Sequence, residues 1–260
     1  MTLIQALFLA ILQGLTEFLP VSSSGHLVLF QKVFGFSQPL VFFDVLLHFG
    51  TLGSILVFFR KTIISLLKEW RKNLRVWGLL SLGSVPAAFF GFLLNVKIDL
   101  LFDSLWLLGG AWILFGLFLL SSRKLNYASK GRFAQASWLD SLIIGLSQAA
   151  ALLPGISRSG STITTGLWRQ FSREEAFKFS FLLAIPAIFG ATLLEIRGLE
   201  LAKINLCQDI SAMFLAGVMG YLSLKFLQKT LRSEKFYFFG FYCLLVGFLS
   251  LAMSLDFRFF

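Results

Sequence analysis

Six apolar runs constrain this chain more than any other feature. Residues 40–59, 76–95, 105–121, 176–195, 210–228 and 236–255 are built mainly from Leu, Phe, Ile, Val, Ala and Gly. Each matches the ~17–25 residues that a helix needs to cross a bilayer core. The composition agrees: 57% hydrophobic and 14% charged residues, with 32 phenylalanines, against about 45–50% and about 25% in soluble domains. Six membrane-spanning helices are therefore expected, and a soluble or disordered chain is excluded. Cys207 and Cys243 have no spacing that suggests a zinc site or a disulfide framework. The opening run MTLIQALFLAIL lacks a basic flank and a small-residue cleavage site, so it is not read as a removable signal peptide.

Two further stretches, 1–35 and 138–168, each hold an apolar arm, a Pro/Ser/Gly-rich turn and a second short arm. Non-helical backbone at membrane depth is tolerated only inside protein or beside a water-filled cavity. Both stretches are read as re-entrant helix–loop–helix hairpins. The cations orient the spans. One face receives Arg60, Lys61, Lys68, Arg71, Lys72, Arg75, Arg123, Lys124, Lys130, Arg132, Arg169, Arg173, Lys229, Arg232 and Lys235. The other receives only Lys32, Lys97, Arg197, Lys203 and Arg258. The first face is cytoplasmic by the positive-inside rule. The net charge of +10 is thus a topology signal, and nucleic acid is not expected as a partner.

Sliding the chain along itself by 135 positions sets Gln13 on Gln148, Ser22 on Ser157, Ser24 on Ser159 and Gly25 on Gly160. Gly109 and Gly116 meet Gly240 and Gly247 at a shift of 131. Each half, about 1–121 and about 138–260, is one hairpin plus three spans. Three is odd, so the second half enters the membrane from the opposite face. The expected fold is all-α integral membrane, an inverted-topology repeat whose two hairpin loops meet near the midplane, as in many secondary transporters.

Polar residues inside such segments are candidates for function. The first hairpin carries Gln13, Glu17, Ser22, Ser23, Ser24, Gly25 and His26 in QGLTEFLPVSSSGHL. The second carries Gly155, Ser157, Arg158, Ser159, Gly160, Ser161 and Thr162 in PGISRSGST. Serines and free N–H groups at a helix start form an anion site, and a guanidinium there suits paired phosphate oxygens. Glycines let a ligand approach the backbone. The set fits phosphoryl chemistry: Arg158 to neutralise, Glu17 to hold a divalent metal or act as base, Ser or His as nucleophile or proton carrier. Glu17 and Arg158 could instead form a purely structural ion pair. Asp44 and His48, four apart, read as a helix-face pair and weaker candidates, and Asp140 as a helix N-cap.

At these residues the sequence resembles a known family. QGLTEFLPVSSSGHL and PGISRSGST are similar to the two signature motifs of the undecaprenyl-diphosphate phosphatases, the integral-membrane type linked to bacitracin resistance. FDVLLHFGTL and FSREEAFKFSFLLAIPAI extend the resemblance over nearly the whole chain. It implies removal of the terminal phosphate from undecaprenyl diphosphate, a lipid carrier recycled in cell-wall synthesis, at a bacterial inner membrane. It also implies a divalent metal, Mg²⁺ or Ca²⁺, at Glu17, with His26 as base or nucleophile. Arg158 would clamp the diphosphate beside Ser23, Ser157 and Ser159, and Ser23, His26 or an activated water would attack phosphorus. Gln13 stands where the family often has a second Glu, so the metal would rely on Glu17 and the substrate's phosphates. A homodimer is compatible with the resemblance. A site entered opposite the basic loops would be periplasmic. The same architecture could also serve a polyprenyl-phosphate translocase without hydrolysis, whereas a channel would leave the buried Arg158 unexplained.

Overall fold

A computed structural model describes residues 1–36, 40–94, 104–124, 135–196 and 206–256. Lys97, Lys130, Arg132, Arg197, Lys203 and Arg258, six of the orienting cations, lie outside these residues. Eleven α-helices are described: α1 (Leu3–Phe18), α2 (Ser23–Val33), α3 (Val41–Phe58), α4 (Arg60–Lys68), α5 (Leu74–Leu94), α6 (Leu105–Ser121), α7 (Trp138–Ala150), α8 (Arg158–Trp168), α9 (Arg173–Ile196), α10 (Leu206–Arg232) and α11 (Phe238–Asp256). Five of them, α3, α5, α9, α10 and α11, are long and apolar enough to cross a membrane. α6, expected as a sixth span, is apolar throughout but has 17 residues, about 26 Å of helix at 1.5 Å per residue. Phe92, Leu114 and Phe214 are 70–78% exposed. Side chains of that size on the outside are natural where the solvent is lipid. This is a multi-pass helical membrane protein.

Both hairpins begin with the same device. Thr2 caps α1 and pairs reciprocally with Gln5, and Ser137 caps α7 and pairs reciprocally with Asp140. Asp140, expected as the cap itself, is therefore the third-residue partner of a capping box, because the shorter serine hydroxyl reaches the free N–H groups. The basic stretch 60–75, expected as a loop, is helical over Arg60–Lys68. Ile63, Leu66 and Leu67 recur there at helical spacing between the cations.

Contact registers set the helix directions. Gly109 faces Gly247 and Gly116 faces Gly240, so α6 and α11 are antiparallel, and a Cβ at any of the four would lie 2.8–2.9 Å from a facing carbonyl. α3 and α10 are parallel: Gly50 lies on Met213 and Gly217, and Ser54 lies on Gly217 and Gly220. α5 and α7 are also parallel, with Ser141 donating to the Leu79 carbonyl and Gly145 against Gly83. α1 lies on α10, where the Ser223 hydroxyl donates to the Leu15 carbonyl at 2.8 Å. These pairings bring the tip between α1 and α2 against the tip between α7 and α8.

Candidate active site

The first tip, Leu19–Ser22, is non-helical and largely buried, so its carbonyls and that of Phe18 at the end of α1 each need a donor. Every one has one. Phe18 accepts from the Ser159 hydroxyl at 2.8 Å, and Leu19 from the Ser157 hydroxyl and the Val21 N–H. The Cys243 thiol lies on the Pro20 carbonyl, the Trp112 indole donates to Val21 at 2.8 Å, and His26 Nδ1 meets the Ser22 carbonyl at 2.7 Å. Three of these donors are beyond residue 150 in sequence, so the tip is held by the opposite half of the chain. Ser22 itself sits at φ 66°, as does Gly155 at 91° in the second tip. A serine held in that region is strained by about 1–2 kcal/mol, and the Ser22 hydroxyl answers by accepting from the N–H groups of Gly25 and Gly155.

The two tips therefore present two helix starts side by side. Ser22 caps α2 and Ser157 caps α8, each accepting from the N–H three residues on. Ser23 and Arg158 are the first helical residues of the two. Between them lies Glu17, with only 7% of its side chain exposed. Its Oε2 accepts from the Ser23 hydroxyl at 2.6 Å and from the Gln13 amide at 3.0 Å, and its Oε1 accepts from Arg158 Nη2 at 3.2 Å. Arg158 is also seated over the Phe181 ring at 5.6 Å, and its Nη1 is buried with no partner among the described residues.

A cavity of about 660 Å³ opens onto this group. Glu17, Ser22, Ser23, Ser24, Ser157 and Arg158 line its polar end, together with His48 and Gln148. Ala87, Ala88, Gly91 and Phe92 of α5 and Ala187, Gly190 and Ala191 of α9 form an apolar wall. Small residues on two Pro-containing helices leave this side roomy. The cavity thus joins a polar end, carrying Arg158 and the tip serines, to an apolar trough.

The remaining residues named from sequence lie behind this lining. Gln13 is fully buried and spends its amide N–H groups on Glu17 and on His48 Nδ1 at 2.9 Å. Ser159 serves the tip carbonyls, and Thr162 bonds to the Arg158 carbonyl and the Ser180 hydroxyl. Gly25 packs on Trp112, Gly155 on the α6 backbone and Gly160 on Phe115 and Pro20, so close packing rather than ligand contact uses their missing side chains. His26 is 2% exposed, and its Nε2 meets the Tyr242 hydroxyl at 2.8 Å. Asp44 pairs with the Gln31 amide, not with His48. His48 instead approaches Glu17 at 3.5 Å and reaches the cavity. His48 and Gln148 are the lining residues that spacing undervalued, although the first stood out as an intramembrane histidine and the second as the repeat mate of Gln13.

A divalent cation would find one carboxylate here. Among the described residues no three His, Cys, Asp or Glu side chains cluster. The cavity-facing oxygens of Glu17 and Ser23 suit a hard cation that completes its shell with water and substrate phosphates, as Mg²⁺ commonly does. The donor set would fit a metal only with further ligands from water or an incoming anion.

Fold and site together define a multi-pass membrane protein with an arginine- and serine-lined pocket at one end of an apolar trough. The chain belongs to the family described as "Bacitracin resistance protein BacA", whose model matches residues 6–249. It is 41% identical over 252 residues to the undecaprenyl-diphosphatase of Carboxydothermus hydrogenoformans, covering 94% of each chain. It is 37% identical over 261 residues to that of Halothermothrix orenii, covering 98% of this chain and 99% of the relative. A third, from Pelotomaculum thermopropionicum, is 41% identical with 95% of each chain covered.

Proposed function

We propose that this protein hydrolyses undecaprenyl diphosphate to undecaprenyl phosphate and inorganic phosphate, and so recycles the lipid carrier of cell-wall synthesis. The observation that carries this is the chain Ser23–Glu17–Arg158, built across both tips at the polar end of an apolar-walled cavity. Ser23 Oγ is the nucleophile: it bonds to the terminal phosphorus while the bridging P–O bond breaks, and its proton passes to Glu17 Oε2 at 2.6 Å. Undecaprenyl phosphate leaves and takes up that proton, which restores the Glu17 carboxylate. Water then attacks the Ser23 phosphoester as Glu17 takes its proton; the P–Oγ bond breaks, the proton passes from Glu17 to Ser23 Oγ, and inorganic phosphate is released. Arg158 Nη2 orients Glu17 while the unpartnered Nη1 serves a phosphate oxygen. A bound Mg²⁺ or Ca²⁺ at Glu17 would neutralise the diphosphate and polarise its oxygens. The apolar trough takes the first isoprenoid units.

The two halves form an inverted repeat with re-entrant hairpins, and the site faces the periplasm of a bacterial inner membrane. Support comes from the helix directions, since parallel α3–α10 and antiparallel α6–α11 are what the charge-derived topology requires. It comes also from the cavity walls, which use residues 84–92 and 186–192, the ends of α5 and α9 remote from the basic segments. α6, though short, crosses as the sixth span beside α11.

The test is phosphate release from undecaprenyl diphosphate by the purified protein, with and without EDTA. Activity is expected to need added metal and to fall at least a hundredfold in Ser23→Ala and Arg158→Ala. No release by the wild type with metal present, or unchanged rates in both variants, would overturn the proposal. Lipid-phosphate movement in liposomes without hydrolysis would favour a translocase.

A further inference from the structure

Three glutamine side chains are buried among the described residues: Gln13, Gln31 and Gln148. Gln13 bonds to Glu17 and His48, and Gln31 bonds to both oxygens of Asp44. Gln148 is 3% exposed, and neither its Oε1 nor its Nε2 has a partner among the described residues. A buried amide left unbonded at both ends is costly, so native proteins reserve such a group for something else to satisfy.

The sequence repeat says why this amide is alone. Gln148 occupies the place of Gln13, but the place of Glu17 four residues later is taken by Leu152. The second hairpin keeps the amide and drops its acceptor. Gln148 and Leu152 both line the cavity, with Arg158, whose Nη1 is the other orphaned donor there. A ligand that satisfies the whole set must accept from Gln148 Nε2 and Arg158 Nη1 and donate to Gln148 Oε1. Phosphate oxygens do the first, and the water shell of a divalent cation does the second.

We infer that Gln148 is a substrate-binding residue, the amide partner of Arg158 in a subsite for a metal-loaded diphosphate. This rests on the phosphatase reading for the identity of the substrate, and on the buried orphaned amide for the site. Gln148 takes no part in proton transfer. Its contribution is alike in ground and transition states, so its loss raises KM and leaves kcat near the wild-type value.

The test compares the purified full-length wild type with Gln148→Met, an apolar side chain of similar length. Pyrophosphate with Mg²⁺ is titrated as the probe by thermal shift, and phosphate release from undecaprenyl diphosphate is measured in parallel. Affinity for pyrophosphate is expected to fall, and KM to rise, by about ten- to a hundredfold. Without ligand, the variant should melt at or above the wild-type temperature, because the substitution removes an unsatisfied group. Unchanged pyrophosphate affinity with unchanged KM would overturn the inference. So would a lowered ligand-free melting temperature, which would mean that the amide is bonded within the protein. A wild type that binds pyrophosphate but releases no phosphate would end the phosphatase reading and leave the subsite standing. A variant with wild-type binding and turnover would do the reverse.

Discussion

Glu17→Gln is the perturbation that separates charge from shape at the site. The pair it breaks is 3.2 Å long, with 15% of the Arg158 side chain and 7% of the Glu17 side chain exposed. Removing one partner of a buried ion pair costs about 3–5 kcal/mol, because the other charge stays buried. Arg158 keeps its contact with Phe181, worth about 1 kcal/mol, which places the expected loss near 3 kcal/mol. That is a large part of the ~5–15 kcal/mol of a typical domain and shows as a lower melting temperature in detergent. The double variant Glu17→Gln/Arg158→Met removes both charges and should recover all but about 1 kcal/mol. Activity behaves differently. Ser23 loses the base 2.6 Å away, so kcat should drop by about 10²–10⁴ in both variants. A Glu17→Gln protein that keeps kcat within threefold of wild type would refute the base role. A double variant as unstable as Glu17→Gln would refute the ion-pair account.

Three further outcomes are expected. Gly116→Val should lower the melting temperature by an amount equivalent to about 1–3 kcal/mol or more, since its Cβ would lie 2.8 Å from the Gly240 carbonyl; a neutral effect would argue against a tight α6–α11 seam. Cys207 is exposed at the start of α10 and Cys243 is buried, so an impermeant maleimide on intact cells should label Cys207, whereas Lys72→Cys should need permeabilised cells; labelling of both from one face would contradict the topology. His26→Ala should destabilise the fold by about 2–4 kcal/mol through two lost hydrogen bonds and a cavity and leave the pH profile of the residual activity unshifted. Loss of an ionisation from that profile would make His26 the base.

Much of this protein is legible because it is local. Apolar run length announces the long helices, and the serines of the two polar stretches announce the helix starts at Ser22 and Ser157. The shift of 135 positions pairs these two caps, and with them the two tips. Local signals failed where a side chain has two nearby claims on it. Asp44 and His48 share a helix face, yet Asp44 pairs with Gln31 and His48 turns to Gln13, whose amide offers the better-placed partner. Asp140 yielded the cap to Ser137 for the same reason of reach.

By itself, then, the sequence determined the membrane as solvent, the two polar tips and the residue types available for phosphate. Only the tertiary structure decided which of them face the cavity. Glu17 meets Arg158 across 141 positions and His26 meets Tyr242 across 216. Whether a polar side chain reaches the cavity or braces a tip carbonyl depends on how its helix is rotated against helices from the other half. That rotation is set by packing such as the glycine contacts of α6 with α11 and of α3 with α10. No spacing along the chain encodes it, because it is a property of two surfaces brought together.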